Sequence, residues 1–140
     1  MSERSEFENM SGGAEKDTAI EALKKYGANI EPDPREQGAW KVTFAFGEGV
    51  TTIRILLNDY SGADLVITNI TTLPESQTGQ GYGSKAIQQL LLWAKENDFN
   101  DIRAVQVQEP SEGFWLKNGF AKDKEPNGCN DFVYQSHHST

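Results

Sequence analysis

An extended run, a turn of alternate glycines and a long amphipathic run follow one another between residues 63 and 97, and few folds accept that succession. Ala63 to Leu73 is rich in β-branched residues and reads as a strand. Pro74 breaks it, and Thr78-Gly79-Gln80-Gly81-Tyr82-Gly83 leads into a helix from about Gly81 to Asn97. Ala86, Ile87, Leu90, Leu91 and Ala94 make its buried stripe, flanked by Tyr82 and Trp93. Glycines at 79, 81 and 83 remove every other Cβ from the turn. The first amides of a helix have no carbonyl partner within it. With the positive end of the helix dipole they form an anion site, most often for phosphate.

Three phosphate-binding patterns can be compared with this turn. A nucleotide P-loop starting at Gly79 needs glycine at 84 and a hydroxyl at 86, where Ser84 and Ala86 stand. A dinucleotide fingerprint needs Gly-x-Gly-x-x-Gly, and the spacing here is Gly-x-Gly-x-Gly with no acidic strand end about 20 residues on. The third pattern, Arg/Gln-x-x-Gly-x-Gly/Ala between a strand and a helix, matches at Gly81 and Gly83 and departs at Thr78. It resembles the acyl-CoA loop of the Gcn5-related N-acetyltransferases, the GNAT family. A second run agrees. Residues 102 to 108 read as a strand, and Trp115-Leu116-Lys117-Asn118-Gly119-Phe120 resembles the family's Tyr-x-Lys-x-Gly-Phe, with Trp115 in place of tyrosine. The resemblance spans roughly residues 38 to 135 and is clearest over 64 to 120.

The resemblance implies an α/β (α+β) domain: a mixed, mostly antiparallel central sheet with a splayed parallel strand pair and flanking helices. It implies an acetyl-CoA-dependent N-acetyltransferase in which an amine attacks the thioester directly. Thr78, Gly79, Gln80, Gly81, Tyr82, Gly83 and Ser84 would hold the CoA pyrophosphate. Thr71, Thr72 and Leu73 would pair with the pantetheine arm, and Trp115 and Lys117 would border the cofactor. An indole does not titrate in range, so Trp115 is not the proton donor that the family's tyrosine often is. Glu109 is the candidate base, with Glu75, Asp64 and Glu112 as other carboxylates near the expected splay, and Tyr134 is a distant candidate acid. Lys85 either helps hold phosphate or faces solvent. The alternative is a non-catalytic GNAT-fold module that binds CoA or a protein partner, a reading fed by Thr78 and Trp115.

Composition narrows the setting. One domain is expected for 140 residues that are 36% hydrophobic and 24% charged. The net charge of −8 opposes a nucleic-acid surface. It fits either general solubility or attraction of a cationic acceptor, a small-molecule amine or a protein amino group. No apolar run approaches the 18 or so residues of a membrane span, and the polar, acidic N-terminus does not read as a secretory signal. With one cysteine, Cys129, no internal disulfide is expected, and a cytoplasmic monomer or homodimer is the expectation. The adjacent His137 and His138 read as a solvated tail, so no metal is expected.

Local patterning sets the order of elements. Residues 1–13 read as a disordered tail, in which Met10 is a second possible start, and residues 14–135 form the single domain. Ala14 to Tyr26 reads as a helix stopped by Gly27, with Ala19, Ile20, Leu23 and Tyr26 on one face. Pro32 and Pro34 predict irregular chain over 28–37. Residues 40–46 and 51–60 alternate as strands and, with 63–73, predict a three-stranded antiparallel meander. Residues 121–130 read as turn-like, 131–135 as a closing strand and 136–140 as a tail.

Overall fold

Alternation of apolar and polar side chains builds the sheet. Val42 and Phe44 on β2 (Ala39–Phe46), Ile53 and Ile55 on β3 (Gly49–Leu56), and Leu65 and Ile67 on β4 (Leu65–Leu73) are buried in one continuous core. The computed structural model describes residues 18–57, 63–74, 76, 79–123 and 130–134. Both expected tails, Glu75, Thr78, Cys129, His137 and His138 lie outside them. The remaining strands are β1 (Ala28–Pro32), β5 (Ile102–Ala104), β6 (Phe120–Lys122) and β7 (Phe132–Tyr134). The sheet order is β1-β2-β3-β4-β5-β7-β6, with β4 and β5 parallel and every other pair antiparallel.

Three helical segments contribute to the same core. α1 comprises residues 18–22 and a closing 3-10 turn, Leu23–Tyr26; α2 is Tyr82–Glu96; α3 is Glu112–Lys117, entered through a 3-10 turn at Glu109–Ser111. Ala19, Ile20 and Leu23 of α1 meet Ile87, Leu90 and Ala94 of α2 in that core, and Trp115 joins from α3. Trp93, expected on the margin of the α2 stripe, is wholly buried. α1 lies over it, and the indole Nε1 donates to the Ala19 carbonyl at 2.6 Å. The Tyr26 hydroxyl donates to Glu96, tying the far ends of the same two helices. No helix among the described residues is long and apolar enough to cross a membrane, and no group of three His, Cys, Asp or Glu among them is placed to hold a metal.

The structure corrects the sequence reading in three places. Residues 28–32, expected to be irregular, form β1 and pair with β2 from Ala28↔Phe44 to Pro32↔Trp40. Pro32 is tolerated because β1 is the sheet edge and ends there. β5 stops at Ala104 rather than near residue 108. The chain after Phe120 is not all turn: β6 occupies Phe120–Lys122, and the last strand, β7, inserts between β5 and β6.

A β-bulge interrupts β4. Arg54 faces Asn69 across the ladder and Ile55 faces Ile67, so Thr68 is the extra residue. It switches the alternation. Leu65 and Ile67 face the helices before it; after it Ile70 packs on the core side, while Thr71 and Leu73 are exposed. Thr68 Oγ1 donates to the Arg54 carbonyl at 3.3 Å and accepts from Arg54 Nη1 at 3.0 Å. Arg54 Nε reaches Asp33 Oδ2 at 2.6 Å and Nη2 reaches Glu36 Oε1 at 3.0 Å, so one guanidinium joins the bulge to the β1–β2 turn. Asp33, buried, also accepts from the Arg35 backbone N–H at 3.0 Å and from Arg35 Nε and Nη2, both at 3.1 Å.

Hydrogen bonds from the Arg35 and Arg54 side chains, then from the Arg35 amide, hold the Asp33 carboxyl well below its ordinary value of 3.8. A depressed pKa favours the folded state wherever the carboxylate is ionised in the unfolded chain. That contribution is complete above the ordinary value and fades as pH falls below it. Thermal melts should therefore show Asp33→Asn less stable than the parent at pH 6, with the gap narrowing at pH 3. A gap that is constant between the two pH values would contradict this role.

Candidate functional site

β4 and β5 pair over only three positions, from Leu65↔Ile102 to Ile67↔Ala104. One further bond, from the Val105 N–H to the Ile67 carbonyl at 3.1 Å, closes the ladder. Gln106 then takes a left-handed φ of 53° and sends the chain away, its N–H donating to Asp131 Oδ1 at 3.0 Å. Val107 N–H donates to the Asn130 carbonyl at 2.8 Å. Asp131 also accepts from Arg103 Nη1 at 3.4 Å, and Asp123 accepts from the same nitrogen at 2.8 Å. β5 is drawn towards β7, while β4 runs straight on to Leu73 with no strand on that side among the described residues.

A groove of about 610 Å³ fills the opened wedge. One wall is Ile70 and Thr72 of β4; the floor is Gly79, Gly81, Tyr82, Gly83 and Ser84; the other wall is Pro110, Ser111, Phe114, Trp115 and Lys117. Gly81, the N-cap of α2, has φ 84°, a conformation costing an L-residue roughly 1–2 kcal/mol. A Cβ at Gly79 or Gly81 would meet nothing within 4 Å, so the space over the turn is clear. Gly83 has a different reason: its Cβ would stand 3.2 Å from Phe114 Cε1, so glycine lets α3 approach α2. The first α2 bond runs from Lys85 N–H to the Gly81 carbonyl at 3.0 Å, leaving the amides ahead of it without helical acceptors. Lys85 Nζ lies over the stacked rings of Phe46 and Tyr82, 6.0 and 5.7 Å from their centroids.

Trp115 is 4% exposed and packed edge-on against Phe114 and Phe120, each ring 5.0 Å away. It is a wall of aromatic core that reaches the groove. Asn118 is buried beside it. Its amide donates to Ser84 Oγ at 3.1 Å and to the Phe114 carbonyl at 2.8 Å, and its oxygen accepts from Gln88 Nε2 at 3.0 Å. This clamp fixes the start of α2 to the end of α3.

Of the residues anticipated from sequence, Thr72, Gly79, Gly81, Tyr82, Gly83, Ser84, Trp115 and Lys117 come together on the groove. Thr71 and Leu73 contribute no side chain to its lining, because the bulge turns them to the opposite face, and Gln80 is exposed beside it. Glu109 is exposed at the start of the 3-10 turn, next to the lining residue Pro110. Tyr134 packs on Phe120 and Gly119, and the pairing of Ala104 with Phe132 and Arg103 with Val133 runs it away from the splay. Asp64, expected near the splay, is at the other end of β4, where Oδ2 accepts from the Asn100 and Asp101 amides at 2.9 and 3.1 Å. Glu112 is engaged by Asn130 Nδ2 at 2.7 Å. Sequence reasoning did not single out Asn118, Gln106 or Asp131, which carry no motif; a non-glycine residue at positive φ gives no local signal.

The model of the acetyltransferase (GNAT) family matches residues 15–120. The chain belongs to this family. No curated protein sequence matches it. Among solved structures it is similar to Tetrahymena GCN5, with a TM-score of 0.57 and 11% identity over 71% of this chain and 69% of that one. It is also similar to nourseothricin acetyltransferase, with a TM-score of 0.51 and 14% identity over 74% and 68%. At such identities the likeness is one of fold, and the mixed seven-stranded sheet with its parallel pair is the GNAT fold.

In this GNAT domain the Asn118 clamp ties the start of α2 to the end of α3. Asn118→Leu keeps the volume and deprives the Phe114 carbonyl and the half-buried Ser84 hydroxyl of their donor. It should lower unfolding free energy by about 1–3 kcal/mol in denaturant melts. A variant as stable as the parent would mean that the clamp contributes nothing to the fold.

Proposed function

We propose that this protein is an acetyl-CoA-dependent N-acetyltransferase that moves an acetyl group to a primary amine by direct attack on the thioester. The observation that carries this reading is the groove itself, in which an open strand edge, a bare glycine turn at a helix start and an aromatic helix converge. The turn suits a pyrophosphate because its free amides need no countercharge to bind one. The open edge of β4 suits the pantetheine amides, which complete it as a further strand would. Lys85 and Lys117 flank the turn and add positive field for the phosphates.

The acceptor, in this reading, is a cationic amine, either a small molecule or a protein amino group, drawn by a chain whose net charge is −8. A protonated amine has no lone pair to attack with, so its proton must leave first. No carboxylate lines the groove among the described residues, and Glu109 lies one residue from its wall. We assign Glu109 the role of base through an intervening water. The buried Trp115, standing where the family resemblance places a tyrosine, is the observation that favours the second reading, a module that binds CoA without turnover.

Calorimetric titration separates these. Acetyl-CoA should bind the parent and fail to bind a folded Gly81→Glu variant, whose carboxylate occupies the clear space over the turn. Equal affinity in the two proteins rules the assignment out. Thiol release with a panel of amines then distinguishes enzyme from module, since a module binds acetyl-CoA and releases no CoA. If there is turnover, its rate should rise with pH and Glu109→Gln should flatten the rise; superimposed profiles would remove Glu109 from the mechanism. Trp115→Phe should keep most of the rate, whereas Trp115→Ala should destabilise the fold by about 3–5 kcal/mol.

A further inference from the structure

Thr51 of β3 places a hydroxyl in the core. It is wholly buried and is paired across the sheet with Phe44 on one side and Thr72 on the other. Its Oγ1 lies 2.8 Å from Thr72 Oγ1, its one side-chain hydrogen-bond partner among the described residues. A pair of hydroxyls has two hydrogens, and the bond between them uses one. If Thr72 were the donor, the Thr51 hydrogen would be stranded in the core, a state that folded proteins avoid. Thr51 therefore donates, and the hydrogen left over is the one on Thr72. Thr72 is half-buried and lines the groove, so its O–H is free to point there. Accepting the Thr51 bond polarises that O–H and makes it a better donor.

The register gives the direction. Thr72 stands on the same face of β4 as Ile70, two residues earlier, and Ile70 Cδ1 lies 3.9 Å from where a Gly83 Cβ would stand. The Thr72 side chain rises from the sheet on the side of the glycine turn, whereas the open edge of β4 lies in the sheet plane. We propose that Thr51, which no ligand touches, aims the Thr72 hydroxyl at a phosphate oxygen of CoA. This rests on reading the groove as the acetyl-CoA site, and it adds a side-chain donor held by a buried positioning residue. A second threonine pair, Thr43 and Thr52 on the opposite face, has its oxygens 3.4 Å apart and is half-buried, so burial there leaves neither hydrogen fixed.

Calorimetric titration of threonine-to-valine variants, which keep the side-chain shape, tests this. The ligands are acetyl-CoA and adenosine 3′-phosphate 5′-diphosphate, the phosphate end of CoA without its pantetheine arm. Thr72→Val should weaken both about tenfold, the worth of one hydrogen bond to a charged oxygen. Thr51→Val should weaken both about threefold, and Thr51→Ser should restore the parent value. Thr51→Val added to Thr72→Val should cost nothing further, because Thr51 acts through Thr72. Unchanged affinities in Thr72→Val overturn the inference and leave the proposed function standing, since backbone amides carry it. So does a Thr51→Val loss that persists in the double variant or is matched by Thr52→Val. A loss confined to acetyl-CoA overturns the phosphate assignment. A parent that binds neither ligand overturns the reading of the groove, and this inference with it.

Discussion

A strand pair that separates part-way leaves backbone donors and acceptors without their ladder partners, and buried groups of that kind must be satisfied elsewhere. The architecture around the groove is largely the set of answers to that requirement. On the β5 side, Gln106 turns its N–H to Asp131 and Val107 binds Asn130, so the departing chain is received by the segment that leads into β7. On the β4 side the edge is left to the groove. The Thr68 bulge then decides which side chains face it, and Arg54 holds the bulge from the neighbouring strand while drawing on the buried Asp33.

The chemistry that results is built mainly from main chain. The glycine turn presents amides, the β4 edge presents amides and carbonyls, and the aromatic wall of Phe114 and Trp115 excludes water from one side. Side chains enter as supports. Asn118 holds Ser84 and Gln88 against α3, and Gly83 is small because Phe114 presses on it. On the proposed reading such a site positions a donor accurately and says little about its acceptor, which suits a fold found in proteins as different as GCN5 and nourseothricin acetyltransferase.

Much of this is legible in the sequence where local rules govern. The β-branched run, the alternate glycines and the apolar stripe of α2 locate the strand, the turn and the helix, and the family resemblance adds the roles by which eight residues of the groove lining are anticipated. What escapes is set by pairing partners far along the chain. Strict alternation from Leu65 and Ile67 puts Thr71 and Leu73 on the groove face, and only the register against β3 reveals the extra residue at Thr68 that places Thr72 there instead. Pro32 argues against a strand because the sequence does not say that β1 is an edge. Asp64 looks close to the splay as a neighbour of the central strand, but strand direction puts it at the closed end. Asn118 and Asp131 act through contacts 30 and 25 residues away in the chain, which no local pattern encodes.

β7 comes after the other six strands in the chain and yet is an interior strand of the sheet. Among the described residues β6 has no neighbour other than β7, so Phe120–Lys122 joins the sheet through Phe132–Tyr134. Asp131, which receives the Gln106 amide, arrives with the same segment. As the chain leaves the ribosome, the meander, the glycine turn and α2 can assemble first as a half-cleft. Asn118 ties α3 to this half-cleft, and β6 and the Asp131 anchor are added with β7. The two sides of the groove thus differ in order of fastening as well as in composition: the strand edge and helix start are complete within residues 39–96, and the opposite wall takes its last anchors from a strand that follows all of them.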